Sequence, residues 1–244
     1  LEEVLTDRVL LVSIMAVNNE VGSVMDIPAL AAVAHKAGAL FHVDATQAFG
    51  KIPISVKEWG VDALSISSHK IGGPKGMGAL YVKARTPFTA PIVGQESGRR
   101  SGTQNVMGAV GFSAAARAAL ANLDESAQRL RALRDECYAR LLENPKVKAA
   151  VSVEPGTTAF APHVVNVLVR GMESETLILQ LDRRGFCVSG GSACSSHSLD
   201  PSHVLKAIGV SRDDALGSLR VSLGNTTTAE ELDAFIEAFN DVVG

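Results

Sequence analysis

The 244 residues are 46% hydrophobic and 20% charged, an ordinary globular balance that allows a sizeable core in one large domain or two smaller ones. A formal net charge of -3 gives no basic surface for nucleic acid or an anionic membrane, and no apolar run reaches the ~20 residues that span a bilayer. The three cysteines are widely spaced with no CxxC pair, which excludes a disulfide framework and a cysteine zinc site and points to reduced thiols in the cytoplasm.

The opening LEEVLTDR is acidic and amphipathic, reads as a helix tail rather than a signal peptide, and begins at Leu1, so the chain reads as part of something longer. Val9 to Met15 is a continuous apolar run, as in a strand buried on both faces. Asp26 and Pro28 open a helix through Lys36 that Gly38 closes. ALFHVDA, DALSISS and GALYV (Gly78 to Val82) read as three further strands, and the spacing suits βαβ units in a mixed, mainly parallel sheet. After the polar loop GQESGRRSGTQN come helices over about Val106 to Ala121 and Glu125 to Glu143. The rest alternates: strand VVNVLV, helix Glu173 to Arg184, strand CVS, helix Pro201 to Ile208, strand SLRVSL and helix Ala229 to Val242. The organisation expected is an α/β domain over 1–121 and a small α+β domain over 122–244. GGPKGMGA lacks the ending of a P-loop, and no GxGxxG opens a helix.

Five segments carry candidate chemistry. In SISSHKIGG, Lys70 follows a strand beside Ser67 and His69. Enclosure and nearby positive charge would make it a Schiff-base lysine and let its neighbours bind a phosphate; the alternative is a solvated lysine on a turn. In FHVDATQ, Asp44 ends a strand where ligands of open α/β sheets collect, with Gln47 three residues on. It reads equally as a partner for a pyridine nitrogen or as a helix cap. Cys194 lies among glycines and serines in SGGSACSSHS, as a nucleophile on an exposed loop or as an idle thiol, whereas Cys137 and Cys187 read as packing. Arg220 in SLRVSL is an arginine within an apolar strand, either a clamp on a substrate carboxylate or half of an internal ion pair. GRRSGT reads as a phosphate-binding loop or a solvated basic turn. The histidines outside this set, His35 on a helix surface and His163, His197 and His203, have no metal-site spacing.

Six strings, VSIMAVNNEVG, FHVDATQAFGKIPI, SISSHKIGGPKGMGALYV, GQESGRRSGTQN, SGGSACSSHS and GSLRVSLGNTTT, resemble those of cysteine desulfurases, a branch of the class V, fold-type I pyridoxal-phosphate enzymes. They occur in that family's order from about Ser13 to the C-terminus. The SGSAC-type cysteine loop is similar to that of the subgroup serving iron–sulfur cluster assembly and tRNA thiolation. The resemblance implies a fold-type I transferase whose N-terminal third, with a Gly-Thr phosphate turn and a ring-stacking histidine, lies outside this chain. It implies pyridoxal 5'-phosphate on Lys70, with Asp44 at the ring nitrogen, Gln47 at the phenolate oxygen, and Ser67 and His69 at the phosphate, His69 also near proton transfer. Asn19 would lie near cofactor and substrate carboxylate, Arg220 would clamp that carboxylate, and Thr103 would reach the phosphate of a neighbouring subunit in a homodimer. Lys70 would take the Cα proton of L-cysteine and Cys194 the sulfur, as a persulfide handed to an iron–sulfur scaffold or a tRNA-thiolation factor. The only metal role implied is a shared iron–sulfur ligand at Cys194. A selenocysteine lyase or other class V lyase, or a catalytically incompetent fragment, are the alternatives.

Overall fold

The computed structural model describes residues 1–90, 100–190 and 201–244. They form two compact units, one of Leu1–Ala16 with Met25–Leu123, the other of Val17–Val24 with Asp124–Gly244. The sequence reading keeps 17–24 in the first domain. The structure gives it to the second, because Val17 bridges Val24, Ser23 bridges Phe160, and Val21 is buried with Leu168, Leu205 and Ala215.

The first unit contains β1 (Leu11–Met15), α1 (Ile27–Lys36), β2 (Leu40–Asp44), α2 (Val56–Trp59), β3 (Ala63–Ser67), β4 (Gly78–Val82) and α3 (Val106–Ala121). Its sheet has the order β1-β2-β3-β4, with the first three strands parallel and β4 antiparallel to β3. The Asp26 carboxylate accepts the Ala29 N–H at 3.1 Å, which starts α1 as the sequence implies, and Ile27, Ala31 and Ala34 fall on its buried side. Val12, Phe41, Val43 and Leu64 are buried, whereas Leu11, Ser13 and Met15 are exposed. β1 is therefore half-buried with alternating sides, and not the doubly buried strand that its apolar run suggests. On its more open face, His42 Nδ1 meets Ser13 Oγ at 2.7 Å and His42 Nε2 meets Ser65 Oγ at 3.2 Å.

The second unit contains α4 (Leu123–Leu141, all but its first residue), β5 (Val147–Ala149), β6 (Val164–Val169), α5 (Ser174–Asp182), α6 (His203–Ala207), α7 (Arg212–Leu216), β7 (Ser218–Ser222) and α8 (Ala229–Val243). The three strands pair antiparallel in sequence order, with β6 central and buried along its whole length. Val165, Val167 and Val169 join Leu130 and Leu133 of α4, Leu177 and Leu181 of α5, and Phe235 and Phe239 of α8 in one core. A capping box between Thr228 and Glu231 starts α8. The CVS stretch forms no strand; its Ser189 makes an isolated bridge to Arg220. β5 and α7 go unseen in the sequence because each is a short element with no periodicity of its own.

At the amino ends of β2 and β3, Asp62 is 7% exposed. Its carboxylate accepts from the Phe41 N–H at 2.9 Å and meets His35 Nε2 at 2.7 Å and Lys83 Nζ at 3.7 Å, tying α1 and the two strands together. Burial pushes this carboxyl up, and the hydrogen bonds from His35 and Phe41 outweigh it, so its pKa lies below the ordinary value. A depressed folded-state pKa stabilises the fold above the unfolded value, and that contribution is lost as pH falls through the folded one. Asp62→Asn is expected to lower the urea midpoint at pH 7. The gap to the parent should narrow as the pH falls below about 4, and a gap constant from pH 7 to 3 would show that this charge does not contribute.

Candidate active site

Parallel pairing of β2 with β3 sets Asp44 opposite Ser65, so the carboxyl ends of these strands emerge side by side. Asp44 is exposed there, and its Oδ1 accepts the Thr46 N–H at 2.9 Å, turning the chain so that Gln47 follows, half-buried. It caps a turn and not a helix. β3 ends at Ser67 and runs into a 3-10 turn, Ser68–Ile71, which carries His69 and Lys70. Ser67 Oγ and His69 Nδ1 are 2.6 Å apart. Lys70 is exposed in its unit. Among the described residues, neither Lys70 nor Asp44 has an ion-pair partner.

The lysine turn is held by close packing. Gly72 lies at φ +79°, a left-handed conformation that lets its N–H close on the Ser68 carbonyl. A Cβ on Gly73 would fall 2.2 Å from Ser68 Oγ and 3.1 Å from the Ala115 Cβ on α3. Two glycines of α3 meet the rest of the same loop: a Cβ at Gly108 would strike Met77, and one at Gly111 would strike Pro74. Bare backbone on α3 thus lets the helix lie directly on the loop that follows Lys70. Ser68 Oγ is buried and has no partner among the described residues.

Thr103 is exposed, and its carbonyl accepts from Arg100 Nη1 at 3.0 Å, while no hydrogen bond among the described residues links it to the lysine turn. In the second unit, Arg220 of β7 donates from Nη1 to the Asn19 carbonyl at 2.8 Å, which brings these two candidates together. No contact ion pair forms at Arg220 among the described residues, and its buried Nε is unpaired. Burial pushes its guanidinium below the ordinary value, and the charge of Glu20 opposes that. Glu20 itself, 2% exposed, escapes the sequence reading: nothing in VNNEVG distinguishes a buried acid from a solvated one. Cys194 and His197 lie outside the described residues, as does the part of the polar loop before Arg100. Cys137 is fully buried, and burial pushes its thiol up to about 12, which removes it from nucleophilic chemistry. Cys187 is exposed and does not pack as its sequence position suggests. No cluster of metal-binding side chains occurs among the described residues.

A family model described as aminotransferase class-V matches residues 1–235. The chain is 43% identical over 245 residues to a cysteine desulfurase of Sinorhizobium fredii, covering 99% of this chain and 62% of that protein. It is 44% identical over 248 residues to the cysteine desulfurase IscS of Edwardsiella ictaluri, covering 100% and 60%. The X-ray structure of a NifS-like protein from Rickettsia africae superposes with a TM-score of 0.87 at 34% identity, over 99% of this chain and 64% of that one. The chain thus spans about three fifths of the length of the curated relatives it matches.

Because a side chain at position 73 would collide with a buried hydroxyl and with α3, Gly73→Ala is expected to destabilise the chain by about 1–3 kcal/mol in urea unfolding. Ala at Gly60, where nothing lies within 4 Å of the new Cβ, meets only backbone strain. Equal losses at the two positions would mean that the contact with α3 carries no weight.

Proposed function

The chain belongs to the class-V aminotransferase family, and we propose that it is the larger part of a cysteine desulfurase that uses pyridoxal 5'-phosphate to convert L-cysteine to L-alanine. A carboxylate and a primary amine that have no ion-pair partner among the described residues, at the carboxyl ends of neighbouring parallel strands, carry the proposal, together with the identity to proteins of that name.

The donor set fits the family's cofactor. Asp44 offers a carboxylate for a protonated ring nitrogen, Lys70 an amine for a carbonyl carbon, and Ser67 and His69 a hydroxyl and an imidazole for a phosphate. Gln47 would serve the phenolate oxygen and Asn19 the substrate side. When bound, the cofactor supplies an electron sink for the charge left at the substrate Cα. Lys70 Nζ would hold it and then carry the Cα proton. Ser67 occupies His69 Nδ1, which leaves Nε2 as the ring nitrogen for proton exchange. Arg220 would hold the L-cysteine carboxylate: a half-buried guanidinium whose Nε has no partner among the described residues supports an anionic ligand. The Cys194 thiolate would form a bond to the substrate sulfur as the carbon–sulfur bond breaks, and protonation of that carbon, with return of the Cα proton from Lys70, gives alanine. The persulfide would pass to an acceptor protein, an iron–sulfur scaffold or a tRNA-thiolation factor, in the cytoplasm, where a free thiol such as Cys187 stays reduced.

A homodimer is part of the same reading, with Thr103 reaching toward the phosphate of a second copy. Support comes from the start of α3, just after Thr103, where Val106 is 66% exposed, Met107 87% and Val110 64%. Three exposed apolar side chains on one turn and the next suit a covered surface.

Turnover, cofactor retention and sedimentation test this reading. Alanine should form from L-cysteine when the chain is supplied with pyridoxal phosphate, and Lys70→Ala should abolish it. Turnover of selenocysteine alone would favour a selenocysteine lyase, and failure to retain the cofactor on gel filtration would mark the 244 residues as insufficient by themselves. In sedimentation, Met107→Glu should shift a dimer toward monomer, and an unchanged dimer would remove this surface from the interface.

A further inference from the structure

Glu20 takes no part in the chemistry above, yet it is almost fully buried beside groups that do. An isolated carboxylate at that depth is costly unless other groups compensate it. The Ser202 hydroxyl donates to its Oε2. Ser202 is also the cap of α6, its oxygen accepting from the Val204 N–H at 3.1 Å and the Leu205 N–H at 3.4 Å. The Glu20 N–H donates to Asn18 Oδ1 at 2.9 Å, and its carbonyl accepts from the buried Asn166 Nδ2 at 3.1 Å. Backbone and carboxylate are therefore both fixed.

The Glu20 charge works against the lowering that burial imposes on the Arg220 guanidinium. The two make no contact ion pair among the described residues. The link runs through the chain: Arg220 Nη1 bonds the carbonyl of Asn19, the residue directly before Glu20. Arg220 is pinned from its own strand as well, its N–H and carbonyl bonding Ser189 at 2.6 and 3.1 Å. We infer that Glu20 is a positioning residue for the substrate: its carboxylate, anchored by Ser202, holds the Arg220 guanidinium in place for a carboxylate-bearing amino acid. This rests on the reading of Arg220 as the clamp on L-cysteine.

Glu20→Gln keeps the size and the Ser202 contact and removes the charge. With the cofactor supplied, it is expected to raise KM for L-cysteine roughly tenfold while kcat stays within about twofold, the signature of lost uniform binding. Glu20→Asp, which restores the charge on a shorter arm, should lie between. A second readout needs neither cofactor nor turnover: the Arg220 Nε–Hε resonance of the chain alone, assigned by its loss in Arg220→Lys, should move or broaden in Glu20→Gln. An unmoved resonance with KM unchanged, or a fall in apparent kcat alone in step with the folded fraction, overturns the inference. If the parent chain turns over no cysteine, the proposed activity fails on its own, and the resonance alone decides whether Glu20 positions Arg220. Should Glu20→Gln not fold, Glu20→Asp carries both measurements.

Discussion

Everything in the first unit that bears on chemistry depends on the parallel pairing of β2 with β3. Parallel strands end at the same edge, so the turn after Asp44 and the turn after Ser67 emerge together, the Ala45 N–H bonding the Ser65 carbonyl at 2.9 Å across the gap. A slip of one residue in that register would send Asp44 to the opposite face of the sheet and separate the carboxylate from the lysine turn. At the other end of the same strands Asp62 locks the pairing by accepting from Phe41, so one acidic residue holds the register and another, three residues beyond Phe41 on β2, uses it.

The second unit solves a different problem. β6 is buried on both faces, and a central strand of that kind needs polar partners wherever it carries a polar side chain. Asn166 finds them in the Glu20 carbonyl and the Ser218 hydroxyl, and its own N–H donates to the Tyr138 hydroxyl at 2.9 Å. Arg134, fully buried on α4, is satisfied by the Phe160 and Ala161 carbonyls and by Asp135. These bonds fasten the 17–24 segment to the sheet and the 157–161 stretch to α4, and Arg220 on the neighbouring strand inherits a rigid surround.

How much of this was legible in the sequence varied with the range of the forces involved. Helices with a local signature came through closely: Val106–Ala121 matches residue for residue, and Asp26 caps α1 where the sequence opens a helix. The strand of Asp44 and the strand before Lys70 were also visible, since apolar runs bounded by glycine and polar turns are local patterns. What stayed hidden was decided at long range. The burial of Glu20 depends on Ser202, 182 residues away, and the membership of 17–24 in the second unit depends on Phe160 and Leu168. The two readings left open for Arg220, substrate clamp or internal ion pair, could not be separated by composition because a strand shows an arginine's position and not its partner. The exposure of Cys187 likewise depends on a strand that the chain does not form there.

The glycines of α3 set a limit of another kind. Gly108 and Gly111 stand one turn apart on a helix otherwise rich in alanine, and each lies against a residue of the loop after Lys70. Glycine is a poor helix former, so these positions weaken α3 in order to let it approach. A side chain is therefore least tolerated at a place that touches no reactive atom: turns at the strand ends have room to change, but any gain of helix propensity at 108 or 111 would displace the very turn being refined. The evolvability of the site is bounded from behind, by a helix that has given up its side chains.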